Sequence, residues 1–171
     1  MKYLRTVTFS ASVAALIATS IFVVPALATP PSGFAGAPII NGHFGTIHEN
    51  TPGDKTGKWG LILKTLDDTD VGSDRLTIQP GGYSGWHAHP GLVMVTVTQG
   101  RVIWHDGSDP LCTAHTFNAG DSYIESAYGP HNVQNASNSA VAEFIAIVIK
   151  PVGFVGPAFR LNRDRPTNCS F

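Results

Sequence analysis

An all-β fold, a sandwich or barrel of short strands, is what this chain predicts, and three observations carry the expectation. Glycine and proline are frequent, 18 and 12 of 171 residues, and they interrupt the chain at short intervals. Apolar residues recur with the period of two that a half-buried strand requires, and no stretch shows the 3.6-residue period of an amphipathic helix. The alternating runs follow one another at roughly the 8 to 12 residue spacing of sandwiches and barrels.

Residues 1–28 stand apart from the fold. Lys2 and Arg5 precede an apolar stretch from Val7 to Val24, and Ala26-Leu27-Ala28 is a small-x-small cleavage site. This is the pattern of a signal peptide, so the mature chain is expected to begin at Thr29, in the periplasm or secreted, with no membrane attachment after cleavage. About 143 residues remain, one domain by size and enough for a single core. Of eleven basic residues, losing Lys2 and Arg5 leaves nine against twelve acidic ones, a net charge near −3. No basic stripe remains, so nucleic acid is not an expected partner.

Residues 29–57 are rich in Pro, Gly and Thr and read as an irregular lead-in with one short strand around Pro38 to Asn41. The barrel is expected over residues 58–150. Trp59 to Leu66 is its first run, ended by the acidic turn Asp67-Asp68-Thr69-Asp70. Asp74 to Gln79 alternates Leu76 and Ile78 with polar neighbours, and Pro80-Gly81-Gly82 is expected to break it. Leu92 to Gln99 sets Val93, Val95 and Val97 on one face. Gly100 turns the chain into Arg101 to His105, and Asp106-Gly107 is a turn signal. Tyr123 to Glu125 and His131 to Gln134 are short strands. Ala140 to Lys150, AVAEFIAIVIK, is the longest β-rich run and is expected at the centre of a sheet.

Residues 151–171 form a tail expected to pack on the barrel. The only cysteines, Cys112 and Cys169, are expected to join in a disulfide, since an exported chain meets oxidising conditions. The bridge would tie the tail to the loop after Trp104-His105.

The chemistry concentrates in two segments, Gly81 to Gly100 and Gly120 to Asn135. His87 and His89 alternate with Ala88, so an extended strand projects both imidazoles from one face. His131 opens another short strand after the Tyr128-Gly129-Pro130 turn. Three imidazoles from neighbouring strands suit Zn, Cu, Fe or Ni.

These segments resemble the two motifs of the cupin superfamily. Gly81, His87, His89 and Gly100 fall in register with the first motif, whose Glu position holds Val93. Gly120, His131 and Asn135 fall in register with the second, whose Pro and Gly positions hold Ser126 and Tyr128. The resemblance spans roughly residues 58–150 and implies a single jelly-roll, or double-stranded β-helix, barrel. It implies a metal site of His87, His89 and His131, taking one divalent transition ion, with Fe(II) favoured and Mn, Ni, Cu or Zn as alternatives.

By parity Val93 shares the ligands' face, so the site is expected to be a neutral three-histidine set, as in cupin oxygenases that act on thiols or β-diketones. Glu125 and Gln134 are candidates for a fourth ligand. Asn135 is expected to hydrogen-bond a turn. Tyr83 and Tyr128 are candidates to contact substrate, Met94 a candidate pocket wall, and Trp86 a packing residue. His43, His48, His105 and His115 are read as surface residues. The Asn135-Ala136-Ser137 sequon is read as incidental.

Two functions follow from the resemblance. One is an exported iron-dependent oxygenase of a small organic molecule. The other is a non-catalytic barrel that binds a small ligand or sequesters metal. A homodimer is what the resemblance implies for assembly.

Overall fold

The computed structural model describes residues 29–154 and 159–171, so the expected signal peptide lies outside the described residues. Among the described residues twelve strands run in chain order: β1 Ser32–Phe44, β2 His48–Thr51, β3 Leu61–Lys64, β4 Thr69–Tyr83, β5 His87–Ala88, β6 Leu92–Gln99, β7 Arg101–Asp106, β8 Ala114–Asn118, β9 Ser122–Glu125, β10 His131–Asn135, β11 Ala142–Pro151 and β12 Leu161–Asn162. Ten of them form one antiparallel sheet that curls into a nearly closed barrel, with the backbone path β12-β5-β10-β4-β11-β6-β9. Strand β1 adds to β4, and β7 links β10 to β8. The fold is an all-β jelly roll. No helix among the described residues is long and apolar enough to cross a membrane.

The longest β-rich run does sit at the centre. β11 lies between β4, where Phe144 faces Leu76, and β6, where Val148 faces Val93. Strand alternation then fills the interior. Leu76 and Ile78 from β4, Val93, Val95 and Val97 from β6, Phe144 and Val148 from β11 and Val133 from β10 are all buried in one cluster. Met94, by the same alternation, points outward and is 38% exposed, so it is not a wall of the interior.

Three expectations about the elements change. Residues 29–57 are not an irregular lead-in: β1 runs for 13 residues and pairs with β4 from Phe44↔Thr69 to Ser32↔Tyr83. Its sequence hides the strand because most of its side chains are exposed, so no apolar alternation marks it. Residues 58–68 do not enter the barrel. Leu61–Lys64 pairs only with His48–Thr51 in a separate two-stranded hairpin, which leaves Trp59, Ile62 and Leu66 exposed. Pro80-Gly81-Gly82 does not end β4. Gly81 adopts φ 68°, a conformation open to glycine, and the β1–β4 register shifts there instead of breaking.

The tail lies against the barrel. β12 pairs with β5, the Arg163 N–H donates to the Trp86 carbonyl at 3.1 Å, and Phe171 stacks on Trp86 with ring centres 5.8 Å apart. The Trp86 indole N–H donates to the Phe171 carbonyl at 3.0 Å, confirming Trp86 as a fully buried packing residue. Cys112 and Cys169 are joined in a disulfide.

Candidate metal centre

β5 and β10 are antiparallel neighbours, and His87 pairs directly with His131. His89 follows two residues after His87, so the three rings meet inside the barrel, where all are buried. Ring centres lie 4.3 to 5.0 Å apart, and one nitrogen from each ring falls within 4.8 Å of the others.

Backbone carbonyls set the tautomer of each ring. His87 Nδ1 lies 2.9 Å from the Gly85 carbonyl, His89 Nδ1 lies 3.0 Å from that of Phe159, and His131 Nδ1 lies 2.9 Å from that of Gly129. A carbonyl only accepts, so every Nδ1 must donate, and each neutral ring turns its Nε2 lone pair toward the common centre. The expected trio is brought together.

A fourth group enters from β9. Glu125 is buried, and its Oε2 stands 3.3 Å from both His89 Nε2 and His131 Nε2. The geometry at His131 Nε2 is not that of a hydrogen bond, and this buried nitrogen has no partner among the described residues. Lone pairs on imidazoles and a carboxylate oxygen therefore converge on a region with no donor between them. A cation placed among them, whether a proton on His131 or a metal ion, relieves their mutual repulsion, and imidazole with carboxylate is a donor set suited to a divalent transition ion. The cluster can hold a metal, and the residues present fit one.

The three-histidine cluster expected here is present, and a carboxylate stands beside it. Val93 does face inward, but in the β6–β9 ladder it pairs with Glu125, which carries the carboxylate from the next strand. Of the two candidate fourth ligands, Glu125 adjoins the trio, while Gln134 lies at the far end of β10 beside Tyr83 and Ile103.

Without an ion, Glu125 and His131 favour each other's charged forms. Burial alone would raise the Glu125 carboxyl, but the charge of His131 and contacts from His131 and His89 outweigh it and hold the group well below the usual carboxylate range. Burial, then the His131 charge, hold the His87 imidazole well below its usual range, so it is neutral. For His131 burial is the largest influence and lowers it, yet the Glu125 charge and contact raise it overall.

The cavity beside the trio is walled by apolar groups, among them Phe34, Val95 and Phe144, and, besides His87, His89 and Glu125, by the polar Ser84, Asp74 and Arg160. The cavity measures about 20 Å³, the room of one ion or water. Asp74 and Arg160 were not anticipated. Asp74 had a signal, since it shares the inward parity of Leu76 and Ile78; Arg160 reaches the cavity from the tail, which no local pattern announces.

Other residues fall elsewhere. Tyr83 and Tyr128 do not line this cavity: Tyr83 ends β4, and Tyr128 is 58% exposed in the turn, with only its backbone N–H bonded to the His89 carbonyl. His105 is not a surface residue; it is buried with its ring 4.1 Å from that of Phe171. His43, His48 and His115 are exposed. Asn135 donates to the carbonyls of Ile78 and Ala140, at 2.9 and 2.8 Å, and accepts from the Ser137 N–H, tying β10 to the turn before β11.

A jelly roll with three histidines on adjoining strands, ringed around one interior point, defines a class of metal-site barrels. Residues 74–148 match the cupin domain family, and the chain belongs to the cupin superfamily. Among solved structures it is similar to a cupin domain from Bordetella pertussis Tohama I, at 21% identity over 73% of this chain and 99% of that one, TM-score 0.45. It is also similar to the cupin domain of an XRE family transcriptional regulator from Enterobacter cloacae, at 16% identity over 70% and 98%, TM-score 0.43. A predicted oxalate decarboxylase from Thermotoga maritima shares 20% identity over 49% and 82%, TM-score 0.40. No curated protein sequence matches the chain.

Proposed function

We propose that this is an exported metal-dependent cupin in which His87, His89 and His131, with Glu125, hold one divalent transition ion and present it to a small organic molecule. Fe(II) is the favoured ion, and an oxygenase-type reaction the favoured chemistry. The observation that carries the reading is the locked tautomer of all three rings, with Nδ1–H bound to carbonyl and every Nε2 turned inward. A nitrogen–oxygen donor set without thiolate suits iron in an open site. When bound, the ion supplies a Lewis-acidic and redox-active centre.

The protein's own contribution is positional. Gly85, Phe159 and Gly129 carbonyls fix the rings, Glu125 supplies an anion that offsets the ion's charge, and the apolar wall excludes water. The closed barrel keeps the reacting molecule away from solvent protons.

The small cavity favours a second reading, a barrel that sequesters an ion without turnover, because the space admits little beyond the ion itself. Elemental analysis of untagged protein beside the His87→Ala, His89→Ala double variant tests both. Near-stoichiometric iron lost in the variant, with oxygen uptake in a substrate screen, supports the oxygenase. Tight zinc or copper with no turnover supports sequestration. No metal in the parent protein after reconstitution overturns both readings.

A further inference from the structure

We infer that Arg160 and Asp74 form a recognition pair for a short carboxylate-bearing molecule that also carries a hydroxyl or ammonium group, bound beside the ion. This rests on the metal-dependent reading above and names its substrate class.

Both side chains line the same cavity as His87, His89 and Glu125. Arg160 is anchored at two of its three nitrogens, with Nε donating to Asn162 Oδ1 at 2.7 Å and one Nη donating to the Trp86 carbonyl at 3.3 Å. The remaining nitrogen, Nη1, is buried and has no partner among the described residues. A guanidinium held in place with one buried donor left over is prepared for an anion's oxygen, its best partner being a carboxylate.

Asp74 presents the complementary need. It occupies an inward position of β4 in series with Leu76 and Ile78, where an apolar residue would pack, and it is 5% exposed. Its Oδ1 is buried without a partner among the described residues. Leaving such an oxygen unpaired is unfavourable by the desolvation of a charged acceptor, so a donor from a ligand is the missing partner. A hydroxyl or an ammonium supplies one.

The charges of the loaded cavity point the same way. Glu125 and Asp74 together balance a divalent ion, and the nearby Lys150 ammonium is answered by Asp70 at 3.1 Å. The Arg160 guanidinium is then left uncompensated, so the cavity favours a monoanion. The small volume limits that anion to a short carbon chain, and Phe34, a half-buried side chain on β1, is the wall that can shift by rotamer to admit it while Arg160 keeps its anchors.

The test uses Co(II)-loaded protein, with the visible cobalt spectrum and thermal shift as readouts and glycolate, propionate and ethylene glycol as probes. Glycolate is expected to bind more tightly than either of the others. Arg160→Met should weaken glycolate by roughly ten- to hundred-fold, with Arg160→Lys recovering part of it. Asp74→Asn should erase the preference for glycolate over propionate. Cobalt content should match the parent's in all three variants. Ethylene glycol binding as well as glycolate, or Arg160→Met leaving glycolate affinity unchanged, overturns the inference while the metal reading stands. A parent protein that takes up no cobalt overturns both.

Discussion

Glu125 stands directly across the β6–β9 ladder from Val93, so a buried carboxylate lies beside the three histidines although position 93 carries none. Residues opposite each other on one face of an antiparallel pair have Cβ atoms only about 5 Å apart, which makes the two positions close neighbours. Glu125→Gln, which keeps the shape and removes the charge, should weaken metal affinity by roughly 10- to 100-fold, the scale seen for groups that orient or support ligands. The exchange Val93→Glu with Glu125→Val should recover part of that affinity, because it returns a carboxylate to the same face. Competition titration with a chromophoric chelator measures both. Glu125→Gln with the parent's affinity would remove Glu125 from the site.

That relationship also shows where sequence reading succeeds and where it stops. His87, His89 and His131 were legible because strand parity is local and the two glycine-bounded segments are each continuous. Val93 was placed correctly on the inward face, and β6, β10 and β11 were legible for the same reason. Glu125 could be named only as a candidate, since which residue sits opposite Val93 is a matter of register between residues 32 positions apart. β1 was missed because an exposed strand has no apolar face to display. Arg160 is the extreme case, brought to the cavity by a tail whose position depends on β12 pairing with β5.

Asn135 ties β10 to β4 and to the turn before β11, donating to Ile78 and Ala140 carbonyls and accepting from Ser137 N–H. Asn135→Ala would leave buried carbonyls without donors, each worth about 1 kcal/mol or more. A loss of about 2 to 3 kcal/mol in urea unfolding is expected, with an unchanged m-value. Metal affinity should follow only weakly, because the side chain does not reach the ligands. A variant as stable as the parent would mean that water satisfies those carbonyls instead.

The disulfide secures more than a terminus. The bridge holds Cys169 two residues from Phe171, whose ring covers Trp86 and His105, while the same tail offers the Phe159 carbonyl to His89. It closes a loop of 57 residues, which the chain-entropy estimate values at about 4 kcal/mol. Cys112→Ser with Cys169→Ser should lower stability on that order. Trp86 fluorescence should shift red as Phe171 loosens, at urea concentrations below the global transition. A single coincident transition in the variant would show that the tail stays docked without the bridge.

His105 makes part of the acid sensitivity predictable. It is buried against Phe171, and its Nδ1 has no partner among the described residues. Burial, and then the charge of nearby His115, lower its pKa from the ordinary 6.5. The unfolded chain therefore takes up this proton before the folded one does. By linkage, the stability tied to the neutral ring is full above pH 6.5 and is lost as pH falls from there toward the lower folded value. His105→Gln removes the titrating group, so its stability should fall less steeply than the parent's between pH 7 and about 5. Parallel thermal melts of the two proteins across that window measure the difference. Curves that stay parallel would place the acid sensitivity elsewhere in the barrel.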